Sequence, residues 1–343
     1  MSGVWWEYLA VFFTTAILSI VLTPMALRYA IRANVLDQPG KHKSHKVAVP
    51  YLGGLAIVAT FVIAVVAMSV LRPPHTGREE LLGVLAIAVF LAAVGFIDDL
   101  RQVSPLWRLV AEITAAVIVW YLGNGTAVAT AGVVDLSLTV LWFVGVTNAF
   151  NLLDNMDGLA AGLAAISSMT VFAVAGTNGQ FLVAGLAVAL AGCTVGFLRL
   201  NFHPARIYMG DGGALFIGFL VAYLGIKLRF DGGRLVSALV PIFACSAAVF
   251  DTSLVVISRV RAGRSPFQGG QDHVSHRLVK LGFPVPAAVG TIYLGAIGVG
   301  ILSFAISRLE AVSALLLAGL VGATLTILGG FLLAVPVYTG DAE

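Results

Sequence analysis

Charge is what this chain of 343 residues has least of. Lys, Arg, Asp and Glu make up 11% of it, against about a quarter in an ordinary soluble domain. Cysteine is almost as scarce. Cys193 and Cys245 both fall inside apolar runs, which excludes a disulfide framework and suits two buried free thiols. No stretch is long or polar enough to form a separate soluble domain, so residues 1–343 are read as one integral membrane domain. Low-complexity tracts and obvious internal repeats are missing too. The N-terminal stretch lacks the basic segment and small-residue cleavage site of a signal peptide. Trp5, Trp6 and Tyr8 suit an interfacial aromatic belt instead, so a retained first helix is expected. No nucleic-acid partner is expected.

What the chain does have is apolar length: 59% of its residues are hydrophobic. Runs of about 20 apolar residues are the unit of a membrane-spanning helix. They recur near 5–27, 52–71, 80–97, 105–122, 137–153, 158–175, 181–198, 212–228, 235–258, 284–305 and 311–335. The predicted fold is an all-α polytopic integral membrane protein with about 10–11 transmembrane helices. Of the basic residues in the connecting loops, fourteen lie on one side and six on the other. The richer side is cytoplasmic by the positive-inside rule, which leaves the N-terminus outside. Asp37, Asp98, Asp99, Asp154, Asp157, Asp211 and Asp272 sort to that same side. Carboxylates beside apolar helices are costly and tend to be functional. An active site at the cytoplasmic face is therefore expected.

Five segments there carry chemistry. "DQPGKHKSHKVAVPYLGG" (37–54) is either an ordinary positive-inside loop or a phosphate clamp built on His45 and Lys46. "GFIDDLRQVSPLWR" (95–108) places adjacent carboxylates after an apolar helix, where they repel each other and oppose the helix dipole unless a cation lies between them. In "NAFNLLDNMDGLA" (148–160), Asn148, Asn151, Asp154 and Asp157 recur every three residues. On one helix they would form a single polar stripe. "NFHPARIYMGDGG" (201–213) sets Asp211 between glycines before an apolar helix, as either a helix cap or part of a phosphate site. "SPFQGGQDHVSHRLVKLGF" (265–283) carries His273, His276 and Arg277. No Cys or Glu stands close enough to complete a zinc site, so cationic or hydrogen-bonding contact with a diphosphate or sugar fits better. Asp251, eight residues before Arg259, would lie about 12 Å inside its span at 1.5 Å per residue. A packing hydrogen bond and a role at the site both suit it. Oxygen donors without thiolates select a hard cation, and Mg²⁺ takes one or two carboxylates, leaving its other positions to phosphates and water.

Together these segments resemble the polyprenyl-phosphate N-acetylhexosamine-1-phosphate transferases and, more distantly, the phospho-N-acetylmuramoyl-pentapeptide transferases. The match runs from about residue 30 to 280. "DD" alone means nothing; "GFIDD", "NAFNLLDNMDGLA", "MGDGG" and "DHVSHRL" in this order are specific. The resemblance implies that undecaprenyl phosphate attacks the β-phosphorus of a UDP-N-acetylhexosamine, giving a lipid-linked sugar diphosphate and UMP. It implies Mg²⁺, with Mn²⁺ as a substitute, contacted by Asp211 and Asn151. Asp98 and Asp99 become the acidic pair at the reacting phosphates and count with Asp157 as catalytic candidates. Asp154, Asn155 and Asp157 resemble a uridine-binding turn, with Asn148 nearby, and Tyr208 sits where a ring stacks on uracil. Lys46 and Arg108 match basic positions facing the phosphates. His273, His276 and Arg277 match the histidine segment of the last large loop. A homodimer in the inner (plasma) membrane is also implied. Two departures stand out: Asn155 replaces a glycine of the usual turn, and Ser275 stands where many relatives carry histidine. The second argues against the muropeptide enzyme.

Two rival readings come from other classes. An ion-coupled transporter would hold its carboxylates near the midplane on broken helices, whereas most here sit at helix ends. A CDP-alcohol phosphotransferase needs an Arg and two further spaced aspartates after the first Asp-Gly, and "LAAGLAAISS" after Gly158 supplies neither.

Overall fold

In a computed structural model of the protein, residues 4–37, 48–71, 77–101, 103–229, 233–266 and 269–337 are described. A chain crossing lipid must satisfy its backbone N–H and C=O groups internally, and the α-helix does so segment by segment. Helices accordingly carry the fold: α1 (Trp5–Arg32), α2 (Gly54–Leu71), α3 (Arg78–Arg101), α4 (Pro105–Tyr121), α5 (Gly132–Leu153), α6 (Leu159–Thr177), α7 (Phe181–Asn201), α8 (Gly210–Ile226), α9 (Gly233–Ala244), α10 (Ser246–Arg261), α11 (Val274–Lys280), α12 (Val285–Ile306) and α13 (Ala311–Leu333). A two-residue antiparallel ladder pairs β1 (Leu36–Asp37) with β2 (Val49–Pro50) between α1 and α2.

Among the described residues, eight helices are long and apolar enough to cross a membrane, and nine are if α9 and α10 count as one broken span. The 17-residue helices α4 and α8, about 25 Å long at 1.5 Å per residue, take the remaining two of the eleven predicted places. The ninth prediction needs correction, because 235–258 is not one rod. Helix α9 contains Pro241, which lacks an N–H and crowds the preceding turn. The chain breaks after Ala244, at Cys245, and α10 leaves at 80°. Asp251 therefore lies in the second turn after a break, not deep within a straight span.

Helix α8 is the hub, buried along nearly its whole length and packed against α3 and α5, with α2 and α6 beside it. Close approach needs small residues. A Cβ at Gly95 would lie 2.6 Å from the backbone carbonyl of Asp211, so α3 touches the start of α8 backbone to backbone. One turn later on α3 come Asp98 and Asp99.

Polar side chains collect in two layers at opposite ends of this core. At one end Lys227 Nζ lies 2.7 Å from Glu80 Oε1 and 2.9 Å from Asn124 Oδ1, while the Tyr223 hydroxyl donates to Glu80 at 2.7 Å. The other end holds Asp98, Arg108, Asn151 and Asp211. Glu80 and Asp98 are about 27 Å apart along α3 at 1.5 Å per residue, close to the thickness of a bilayer's hydrocarbon core, about 30 Å.

Candidate active site

The second polar layer centres on one guanidinium. Helix α4 restarts the chain just after α3: Pro105 occupies its first turn and Ser104 accepts from the Leu106 amide, a normal helix start. Asp98 Oδ1 accepts from the Val103 amide at 2.5 Å, which closes the connection. Arg108, in the first turn of α4, is thereby turned back. Its Nη1 lies 2.7 Å from Asp98 Oδ2 and 2.7 Å from Asp211 Oδ2. The other oxygen of Asp211 accepts from Asn151 Nδ2 at 2.7 Å. Four helices, α3, α4, α5 and α8, thus meet at Asp211.

Asp99 does a different job from its neighbour. Its Oδ1 accepts from the Asp211 amide at 2.9 Å and its Oδ2 from the Gly212 amide at 3.2 Å, so a side chain of α3 caps α8. The dipole at a helix N-terminus favours that negative charge. Gly210 makes the approach possible: its φ is +78°, and a Cβ there would meet Asp99 Oδ2 at 2.7 Å. The Tyr51 hydroxyl donates to the Asp99 carbonyl at 2.5 Å. Tyr51 also bridges Tyr208 by backbone pairing, and the Tyr208 amide donates to the Pro50 carbonyl at 2.9 Å. Lys46, the basic candidate of this loop, lies outside the described residues.

The polar stripe expected over 148–157 does not form, because α5 ends at Leu153 and Asp154 is its C-cap. Asn148 donates to Glu112 of α4 and to the Val144 carbonyl. Asn151 reaches Asp211. Asp154 accepts from the Gly210 backbone, and burial, then repulsion from Asp211 and Asp99, pushes its carboxyl up to about 7. Asp157 turns to the α7–α8 loop, where Oδ2 lies 2.8 Å from His203 Nδ1 and accepts from the Ala205 amide at 3.0 Å. Nearby Tyr208 is pushed up to about 12, first by burial and then by Asp157, so it stays a neutral phenol.

The histidine segment docks beside this turn. Ser275 donates to Asn155 Oδ1 at 2.7 Å, and Asn155 Nδ2 donates to the Leu152 carbonyl at 2.6 Å. The rings of His273 and His276 are 5.7 Å apart. Burial, then His273, lowers His276 to about 4, so at neutral pH it is a neutral ring and no cation. Arg277 corrects the expectation placed on it. It is 1% exposed, and donates to the carbonyls of Asp272, Leu332 and Val335 and to the Ser258 hydroxyl. Those bonds hold it against the end of α13. A bidentate Arg259–Asp272 pair, both contacts 2.8 Å, closes the same loop from below.

The profile of glycosyl transferase family 4 matches residues 81–229, a stretch containing every member of the Arg108-centred group. A Bacillus subtilis protein named "Probable undecaprenyl-phosphate N-acetylglucosaminyl 1-phosphate transferase" is 32% identical over 293 residues, covering 82% of this chain and 80% of its own. The chain belongs to glycosyl transferase family 4. A second member, the decaprenyl-phosphate N-acetylglucosaminephosphotransferase of Mycolicibacterium smegmatis, is 34% identical over 325 residues, 85% of this chain and 79% of its own. A phospho-N-acetylmuramoyl-pentapeptide-transferase of Geobacillus is more distant, at 29% over 241 residues, 64% of this chain and 74% of its own.

Within this family frame, three residues at the site escaped the sequence reading. Glu112 is 2% exposed, takes one bond from Asn148 and leaves Oε1 buried without a partner. Its one-turn spacing from Arg108 was the available signal. His203 lies in a segment singled out for Asp211 and Tyr208. Tyr51 ends the basic loop, and nothing in its neighbours marks it.

Among the described residues, no group of three or more His, Cys, Asp or Glu side chains forms a ready-made metal cage. The donor set nevertheless fits a hard divalent cation. Asp98 and Asp211 share the single Arg108 guanidinium, Asp99 and Asp154 lie near enough to Asp211 to be repelled by it, and the donors are oxygens without thiolates. Magnesium in particular takes few protein ligands and completes its shell with phosphates and water.

Proposed function

We propose that the protein transfers N-acetylhexosamine 1-phosphate, GlcNAc 1-phosphate first among the candidates, from a UDP-sugar to undecaprenyl phosphate. The reading is that the acceptor phosphate oxygen bonds to the β-phosphorus, the bond from that phosphorus to the bridging oxygen breaks, and UMP leaves with the bridging oxygen. The product is undecaprenyl-diphosphate-sugar, a lipid-linked starting unit for envelope polysaccharide. One observation carries this reading: Arg108 is held by Asp98 and Asp211 together, beside the turn that bears Asn155 and Asp157. The printed activities of the Bacillus and Mycolicibacterium relatives agree with it.

In this reading Asp211, with Asn151 beside it, holds Mg²⁺ (Mn²⁺ in its place), which supplies charge neutralisation for the diphosphate. Phosphoryl transfer depends chiefly on positioning and such neutralisation. Arg108 swaps a carboxylate for a phosphate oxygen when substrate arrives. Asp98 orients Arg108 and the acceptor. Little is left for a base to do, because a phosphomonoester has its second pKa near 6 and is already mostly dianionic. Asp99 acts on the start of α8 rather than on substrate. Asp154, Asn155, Asp157 and Tyr208 receive the uridine, and His273 and His276 the sugar diphosphate. The site faces the cytoplasm, the N-terminus lies outside the inner (plasma) membrane, and the working form is a homodimer.

The test is direct. Purified protein with radiolabelled UDP-GlcNAc, undecaprenyl phosphate and Mg²⁺ should yield butanol-extractable label and UMP. A panel of UDP-sugars with mass spectrometry of the lipid then identifies the sugar. No labelled lipid from any donor would overturn the proposal.

A further inference from the structure

Asp251 is a carboxylate that the transfer reaction, as read above, does not use. It is 3% exposed, in a helix that an apolar run predicted to be intramembrane, and so it needs compensation. Both of its oxygens have it. Oδ1 accepts from the Val274 amide at 2.7 Å and Oδ2 lies 2.7 Å from His273 Nδ1. His273 is itself 4% exposed, and its Nε2 makes no hydrogen bond among the described residues. The ring of His276 lies alongside, with its Nδ1 buried and unpartnered. The break at Cys245 makes this arrangement, because α10 leaves at 80° and carries Asp251 under the segment that begins α11.

We propose that Asp251 is a positioning residue that keeps a proton on His273 Nδ1, so that Nε2 is the ring nitrogen presented to the sugar-diphosphate donor. A carboxylate accepts hydrogen bonds and donates none, so the nitrogen facing Oδ2 must carry the proton. The partner of one ring nitrogen thus decides what the other can do. The backbone bond from Val274 to the same carboxylate fixes where the ring stands. The involvement of the donor rests on the function proposed above; the tautomer does not.

Asp251→Asn separates these two bonds. Its amide oxygen keeps the Val274 N–H satisfied, while its NH₂ group then faces His273 Nδ1. Nδ1 must become an acceptor, and the proton moves to Nε2. The experiment uses the full chain in detergent or nanodiscs, with ¹⁵N-labelled histidine assigned by comparison with His273→Gln. In the wild type, His273 should show a protonated Nδ1; in Asp251→Asn, the Nδ1 signal should shift to that of an unprotonated nitrogen, with the melting temperature nearly unchanged. With UDP-GlcNAc and undecaprenyl phosphate, Asp251→Asn should lower kcat/KM for the nucleotide sugar at least tenfold and leave the KM for the lipid near its original value. Adding Asp251→Asn to His273→Ala should cost nothing further.

A wild-type His273 protonated at Nε2 alone would overturn the proposal without any variant, so it stays testable if Asp251→Asn does not fold. Losses that multiply in the double variant, or equal losses for both substrates, would overturn it as well. An inactive wild type with protonated Nδ1 would sink the transferase reading and leave the assignment of Asp251 standing.

Discussion

Asn155 and Ser275 are 120 residues apart in the chain and joined by a hydrogen bond of 2.7 Å. They are also the two places where the sequence departs from the pattern it resembles, so the departures are partners. Asn155→Gly should leave the fully buried Ser275 hydroxyl without its acceptor, at a cost of about 1–3 kcal/mol for an unsatisfied buried group. Ser275→His alone should clash with the Asn155 side chain. The double change Asn155→Gly/Ser275→His should be less damaging than the two single changes added together, read as melting temperature. Simple additivity would mean that the two positions are not coupled.

Removing the shared guanidinium should be severe. Arg108→Ala leaves Asp98 and Asp211 facing each other without a cation. Turnover should fall at least a hundredfold, about 2.7 kcal/mol of transition-state stabilisation. Asp211→Asn should abolish turnover and weaken the response to added Mg²⁺. Initial rates over a magnesium series check both, and a near-wild-type Asp211→Asn would refute the metal assignment.

Acidity should move stability in a definite direction. Burial, then Asp211 and Asp99, raises Asp154 from an ordinary carboxyl value to about 7, so folding favours its protonated form. That contribution is fully present below the unfolded value near 4 and is lost as pH rises through about 7. Without divalent cations the melting temperature should therefore fall between pH 5 and pH 7.5. The change should be on the order of 2 kcal/mol, since the side chain is only half-buried. Asp154→Asn should flatten the slope, and an unchanged slope in that variant would locate the effect elsewhere.

Tyr208 is held through its backbone, by bonds to Pro50 and from Gly53, so truncating its ring should spare the local fold. Tyr208→Ala should raise the KM for the nucleotide sugar severalfold and change the KM for the lipid little. Two-substrate kinetics separate the two. Equal effects on both constants would contradict a stacking role.

The polar layer at the far end should matter for stability only. Glu80→Gln weakens a pair with Lys227 that is part-exposed, worth roughly 1 kcal/mol or less. The melting temperature should drop by a few degrees with turnover unchanged.

Much of the molecule was legible before any coordinates. Apolar runs located ten of the eleven places as single helices and the ninth as the broken α9–α10 pair, because in lipid a helix satisfies the backbone of such a run within itself. The site's end of the bundle was legible too, since Asp98 and Asp99 stand at a helix C-terminus where carboxylates are unfavourable, and Asp211 stands between glycines at the start of α8. Period alone misled at 148–157. Three-residue spacing reads as one stripe only while the helix continues, and α5 stops at Leu153. Arg277 misled in another way: its charge suggested an anionic ligand, but backbone carbonyls at the end of α13 take up its N–H groups.

By itself the sequence determined which segments are apolar enough to enter a membrane, which ends carry charge and which donor atoms are at hand, since each of these follows from local composition. Only the tertiary structure decided the partners. That Asp99 caps α8 while its neighbour Asp98 grips Arg108, that Asp157 turns to His203, and that Asp251 governs His273 all depend on contacts between residues far apart in the chain. Such contacts are set by how closely α3, α5 and α8 pack and by the bend at Cys245, and no local pattern encodes either.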